Sequence, residues 1–151
     1  MPRSHNIDKT LTAPLEQNGS APVAAATIFV CTTCRRKRAD AQEGYDLPGK
    51  GLAEALASEV ARRELAGLTV TPVECLAVCR RPCTVAFAGP AKWTHLVGDL
   101  DAETHVGDIV TAALAFARAP DGIVPWAERP QSIRNGGLAR VPPLGFKPQP
   151  A

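Results

Sequence analysis

No stretch of the sequence approaches the roughly 18 consecutive apolar residues that span a membrane. The longest apolar run near the start, Ala21 to Val30, is alanine-rich and follows no basic segment of the kind that opens an export signal. The expectation is a cytoplasmic chain with no membrane partner, in a compartment where thiols stay reduced. A dominant charge is missing too: 17 Lys and Arg against 15 Asp and Glu leave a formal net charge of +2. Two Trp, one Tyr and four Phe are few, and none is interleaved with a basic surface, so no nucleic-acid partner is expected. There is no phosphate-cradling glycine loop, no Ser, His and Asp set, no nucleotide fingerprint and no internal repeat. His5, His95 and His105 stand at no metal-ligand spacing to a cysteine, and Asp99, Asp101, Glu103 and Asp108 read as the charged start of a helix. The parts of a stand-alone enzyme are not visible.

Proline and glycine are plentiful, at 14 and 12, and they mark out what lies beyond the packed unit. In 151 residues there is room for one domain with a real core. Residues 1–25 mix Pro, Ser, Asn and Gln without an apolar period and read as a disordered leader. Residues 26–122 read as the domain, and 123–151, broken by five proline interruptions, as an extended tail packing through Ile123, Trp126 and Ile133. Within the domain, Thr27 to Val30 is a short apolar strand and 32–47 a loop. Leu52, Leu56 and Val60 then set a helical stripe that starts at Pro48 and stops at Gly67. Leu68 to Val73 is the next strand. Thr84 to Ala88 and Trp93 to Val97 form a hairpin around Gly89-Pro90-Ala91-Lys92. A last helix follows, with Val106, Ile109, Val110, Ala113, Leu114 and Ala117 on one face and Asp101 as its cap. Trp93 and Trp126 are expected to anchor packing.

All five cysteines fall in two clusters, Cys31-Thr-Thr-Cys34 and Cys75-Leu-Ala-Val-Cys79-Arg-Arg-Pro-Cys83. Each follows a strand. Strand, helix, strand at this length is a unit with parallel strands, which end at one edge of the sheet, so the clusters should meet at one rim. Four soft thiolates there suit tetrahedral zinc or a 2Fe-2S cluster. Zinc knuckles usually use C-x2-C on both sides, whereas the second pair here is C-x3-C, which favours the larger cluster.

The layout resembles the thioredoxin-like 2Fe-2S ferredoxins and the small iron-sulfur subunit of respiratory NADH dehydrogenase. More closely, Val30 to Arg35, Glu74-Cys75-Leu76, Gly89 to Thr94 and Arg140-Val141-Pro142-Pro143 resemble a bacterial domain-of-unknown-function family of predicted metal-binding proteins, often associated with cobalamin-biosynthesis genes. The resemblance implies a thioredoxin-like α/β fold in the order β-α-β-β-β-α. It also implies Cys31, Cys34, Cys75 and Cys79 as ligands of a 2Fe-2S cluster, in a one-electron carrier or a metal-handling accessory.

Several alternatives stay open on the residues. Cys83 can substitute for one ligand or be a small buried hydrophobe. Zinc would use the same four thiolates in a binding module. Cys31 and Cys34 can instead form the dithiol of a thiol-disulfide oxidoreductase, although the nearest helix signal begins only near Pro48. Arg35, Arg36, Lys37 and Arg38, joined by Arg80 and Arg81, are a solvated loop or a docking patch for an acidic redox partner. Self-association to a homodimer is left open.

Overall fold

The computed structural model describes residues 25–40 and 43–150. The leader read over 1–25 lies, except for Ala25, outside the described residues. Strand β1 runs Ala26–Cys31, and a two-residue hairpin follows, β2 (Arg36–Lys37) with β3 (Tyr45–Asp46). Helix α1 spans Pro48–Arg62 and strand β4 Leu68–Val73. The hairpin β5 (Val85–Ala88) and β6 (Thr94–Val97) leads to helix α2, Val106–Arg118. A 3-10 turn at Trp126–Glu128, a short helix α3 at Gln131–Gly136 and strand β7 at Gly137–Val141 complete the chain.

The main sheet has the order β4-β1-β5-β6-β7. Only β1 and β4 are parallel, in register from Ala26 opposite Leu68 to Cys31 opposite Val73. The remaining pairs are antiparallel. Pro72 lacks an N–H to donate to a ladder and is accommodated because β4 is an edge strand. Ala26, Ile28 and Val30 alternate with half-buried Thr27 and Phe29, so one row of β1 faces the core. Helices α1 and α2 pack on β1 and on each other. Leu52 and Leu56 of α1 meet Ile109, Val110 and Phe116 of α2 in one continuous core with Ile28, Val30, Val85 and Phe87.

The expected β-α-β-β-β-α order is present, with differences at its margins. Helix α1 ends at Arg62, five residues before the stop expected at Gly67, because Glu64 takes a positive φ of 51°. Asp101 does not cap α2, whose cap position is His105. Its carboxylate accepts from the N–H groups of Glu103 and Thr104 and so closes the preceding turn. The tail read as extended carries α3 and β7, and β7 joins the sheet as a fifth strand. Trp126 is no packing anchor: it is 60% exposed, and Val124 and Ile133 bury the tail instead. Among the described residues no helix is long and apolar enough to cross a membrane.

Candidate metal centre

The two cysteine loops meet, as the parallel pairing requires. Beyond Cys31 the chain continues alongside β4: the Thr32 N–H donates to the Val73 carbonyl at 2.9 Å and the Thr33 N–H to the Glu74 carbonyl at 3.3 Å. Both threonine hydroxyls donate to the same two carbonyls, Thr32 Oγ1 to Val73 and Thr33 Oγ1 to Glu74. Four hydrogen bonds thus tie the C-x2-C loop to the start of the C-x3-C loop. On its other side, the Cys31 N–H donates to the Thr84 carbonyl at 3.0 Å, just beyond Cys83. All three cysteine-bearing segments therefore border one rim.

The five thiols differ in their surroundings. Cys31, Cys34 and Cys83 are buried, whereas Cys75 and Cys79 are exposed on a segment, 74–84, that forms no helix or strand. Burial pushes the Cys31 thiol up, but the Cys34 thiol and the backbone N–H groups of Leu76, Thr33 and Cys34 outweigh it and hold the group below its ordinary range. Leu76 belongs to the second loop, so one loop stabilises a thiolate on the other. Cys34 is pushed up, by burial first and by its Cys31 neighbour, against donation from the Thr84 and Cys83 N–H groups. Cys83 lies in the core and burial raises its thiol to about 11, against the pull of Arg36. The Ala77 N–H, on a residue with φ of 60°, donates to Cys75 Sγ at 3.1 Å.

Among the described residues no three His, Cys, Asp or Glu side chains are gathered around one point closely enough to hold a metal ion. The donor chemistry nevertheless fits a thiolate-bound group. Backbone N–H groups directed at the Cys31 sulfur favour its deprotonated form, which is the form that ligates.

The first turn of α1 also reaches this rim. A Cβ on Gly49 would stand 1.9 Å from the Cys31 carbonyl oxygen, so the helix start lies directly on the C-x2-C loop. Sequence distance hid that contact, because the β2–β3 hairpin folds away and lets Pro48 and Gly49 return to Cys31.

The basic residues are partly committed. Arg36 pairs with Asp101 at 3.5 Å and points a second nitrogen at Cys83 Sγ, 4.0 Å away. Arg38 pairs with Asp46 at 2.9 Å, and Arg81 with Asp99 at 2.6 Å. Arg35, Lys37 and Arg80 are exposed, with no carboxylate in ion-pair range among the described residues.

Among solved structures, the chain is similar to a thioredoxin-like [2Fe-2S] ferredoxin from Aquifex aeolicus. The identity is 15%, over 82% of this chain and 98% of that one, with a TM-score of 0.52. A structure of the wild type thioredoxin-like [2Fe-2S] ferredoxin from the same organism gives 16% identity, 76% and 97% coverage and a TM-score of 0.49. The first likeness is one of fold: the β-α-β-β-β-α core is thioredoxin-like. Among curated proteins no relative matches. The family described as protein of unknown function (DUF1636) matches residues 28–143, most of the sheet and all three helices, and the chain belongs to that family.

Proposed function

We propose that this protein is a ferredoxin-like metal-binding protein that holds a 2Fe-2S cluster through Cys31, Cys34, Cys75 and Cys79. It acts as a one-electron carrier or as a metal-handling accessory in a cobalamin-related setting, the latter on the family resemblance alone. The observation that carries the reading is the join between the loops, where the Leu76 N–H is directed at the Cys31 sulfur and threonines 32 and 33 bond to Val73 and Glu74. A bound cluster supplies reversible storage of one electron. The chain's own part is to make the Cys31 thiol easier to deprotonate, to exclude water around Cys31 and Cys34, and to offset thiolate charge with Arg35, Lys37 and Arg80. Those three cations, with no carboxylate in ion-pair range among the described residues, are also part of a patch for an acidic redox partner, whose affinity should fall with salt. The segment from Glu74 to Cys83 forms no helix or strand, so it can adjust to bring Cys75 and Cys79 to the buried pair without breaking the sheet.

Single substitutions test the ligand set. Anaerobically purified Cys75→Ser and Cys79→Ser are expected to lose most of their iron and acid-labile sulfide, and Cys83→Ala to keep both. Full retention in Cys79→Ser contradicts the assignment.

A second reading has its own observation. The Cys31 and Cys34 thiols interact directly, with the first pushed down and the second up, as in a dithiol pair with one nucleophile. Disulfide reductase activity that survives loss of both Cys75 and Cys79 favours that oxidoreductase.

A further inference from the structure

Away from the cysteines, the sheet and the tail enclose a second concavity. It measures about 470 Å³ and no cysteine lines it. That size lies within the roughly 300–1,000 Å³ of small-molecule sites. Its floor is a row across three strands, in which Phe87 on β5 stands opposite His95 on β6, and His95 opposite Arg140 on β7. Phe116 of α2 closes one wall, its ring 5.8 Å from that of His95 and edge-on to it. The tail supplies the remainder, including Val124, Trp126 and Arg129.

Three features point to a ligand. The His95 Nε2 atom is buried with no hydrogen-bond partner among the described residues, a rarity in a folded chain. Arg129 and Arg140 border the same space, and among the described residues neither has a carboxylate in ion-pair range. Both guanidiniums are also oriented. The Arg129 Nε donates to the Val124 carbonyl at 2.8 Å with its guanidinium 5.7 Å from the Trp126 ring, and the Arg140 guanidinium sits 6.0 Å from the Trp93 ring. Two cations with no carboxylate in ion-pair range among the described residues, beside an unpaired ring nitrogen and the apolar rings of Phe87 and Phe116, call for an anion attached to an apolar body.

We propose that this cavity binds a small organic carboxylate, its carboxylate held by Arg129, Arg140 and His95 Nε2 and its apolar body lying against Phe87 and Phe116. Guanidinium groups match a carboxylate's planar pair of oxygens. Inorganic phosphate would leave the Phe87 and Phe116 rings unused and would bind less well. The charge around His95 agrees with this polarity. Burial, then Arg129 and Arg140, hold the ring below its ordinary range, against the Gly122 carbonyl and the Asp121 carboxylate. An anion seated between the arginines offsets their effect and moves the ring's titration to higher pH.

The test uses the full chain with phenylacetate as probe, and phenylacetamide and inorganic phosphate as controls, read by calorimetry and by the His95 ring resonances. Saturable phenylacetate binding is expected, with the His95 midpoint rising on binding. Phenylacetamide and phosphate should each bind about tenfold or more weakly. Arg140→Gln, on the exposed edge strand, should weaken phenylacetate about as much while leaving the amide spectrum otherwise unchanged; Arg129→Gln serves if that spectrum changes. Equal affinity for the amide, tighter binding of phosphate, full affinity in the arginine variants, or no saturation by about 10 mM overturns the proposal.

Discussion

A methyl group at position 49 would collide with the Cys31 carbonyl oxygen at 1.9 Å, so glycine is what lets helix α1 start on the cysteine loop. Gly49→Ala is expected to destabilise the fold by about 1–3 kcal/mol, measured as a lower urea midpoint at unchanged slope, because helix and loop must separate. The thiols differ as sharply from one another. In the reduced, metal-free protein, Cys75 and Cys79 are exposed and Cys83 is buried with its thiol near 11. Iodoacetamide at neutral pH should therefore label the first two early and Cys83 last, slower by about two orders of magnitude, as followed by peptide mass spectrometry. Equal labelling of Cys83 would remove it from the core. Sequence spacing brings the two cysteine clusters to one rim, since the parallel strands that carry Cys31 and Cys75 end at the same edge. It offers a buried place for Cys83, at the start of a strand, but does not separate buried Cys31 and Cys34 from exposed Cys75 and Cys79, because that depends on Thr84 and Leu76 arriving from elsewhere in the fold.

Among elements, the long ones were legible and the short ones were not. The stripes of α1 and α2 and the apolar runs of β1, β4, β5 and β6 each carry their own period, so pattern alone locates them. Helix α3 has six residues and β7 five, and β7 owes its existence to pairing with β6 rather than to an apolar alternation. The prolines that suggested an unstructured tail flank these elements instead: Pro130 precedes α3, and Pro142 and Pro143 follow β7. Gly89 to Lys92 turns the β5–β6 hairpin, as its Gly-Pro start leads one to expect, but Lys92 does more than turn. Its ammonium donates to the carbonyls of Phe116 at 3.3 Å and Ala117 at 3.0 Å, and to that of Ala119, all at the end of α2. A cation on helix-terminal carbonyls is favourable, so Lys92 joins the hairpin to the helix. Lys92→Met should cost about 2 kcal/mol in denaturant unfolding. An unchanged midpoint would mean that water satisfies those carbonyls equally well.

Across the whole molecule, one strand pairing brings the two cysteine loops together, and the tail then closes a separate cavity at the other strands. The cavity predicts a response to acid. His95 is held below the range of a free histidine, by burial first and then by Arg129 and Arg140, so the unfolded chain takes up this proton at higher pH than the folded one. Its contribution to stability is complete above about pH 6.5 and is lost as the pH falls through the folded midpoint. Urea midpoints should fall between about pH 7 and 5, and His95→Gln should flatten that part of the profile. No sequence period marks the cavity, because its parts lie on β5, β6, β7, α2 and the proline-rich tail. The cysteine rim is marked, because two spaced motifs and one βαβ unit suffice to infer it. The central claim is that this rim holds an iron-sulfur group. The most direct measurement is the visible absorption spectrum of anaerobically purified protein, taken with its iron, sulfide and zinc content. Bands between about 400 and 550 nm, with iron and sulfide in equal amounts, are the predicted result. A colourless protein carrying one zinc per chain would contradict it.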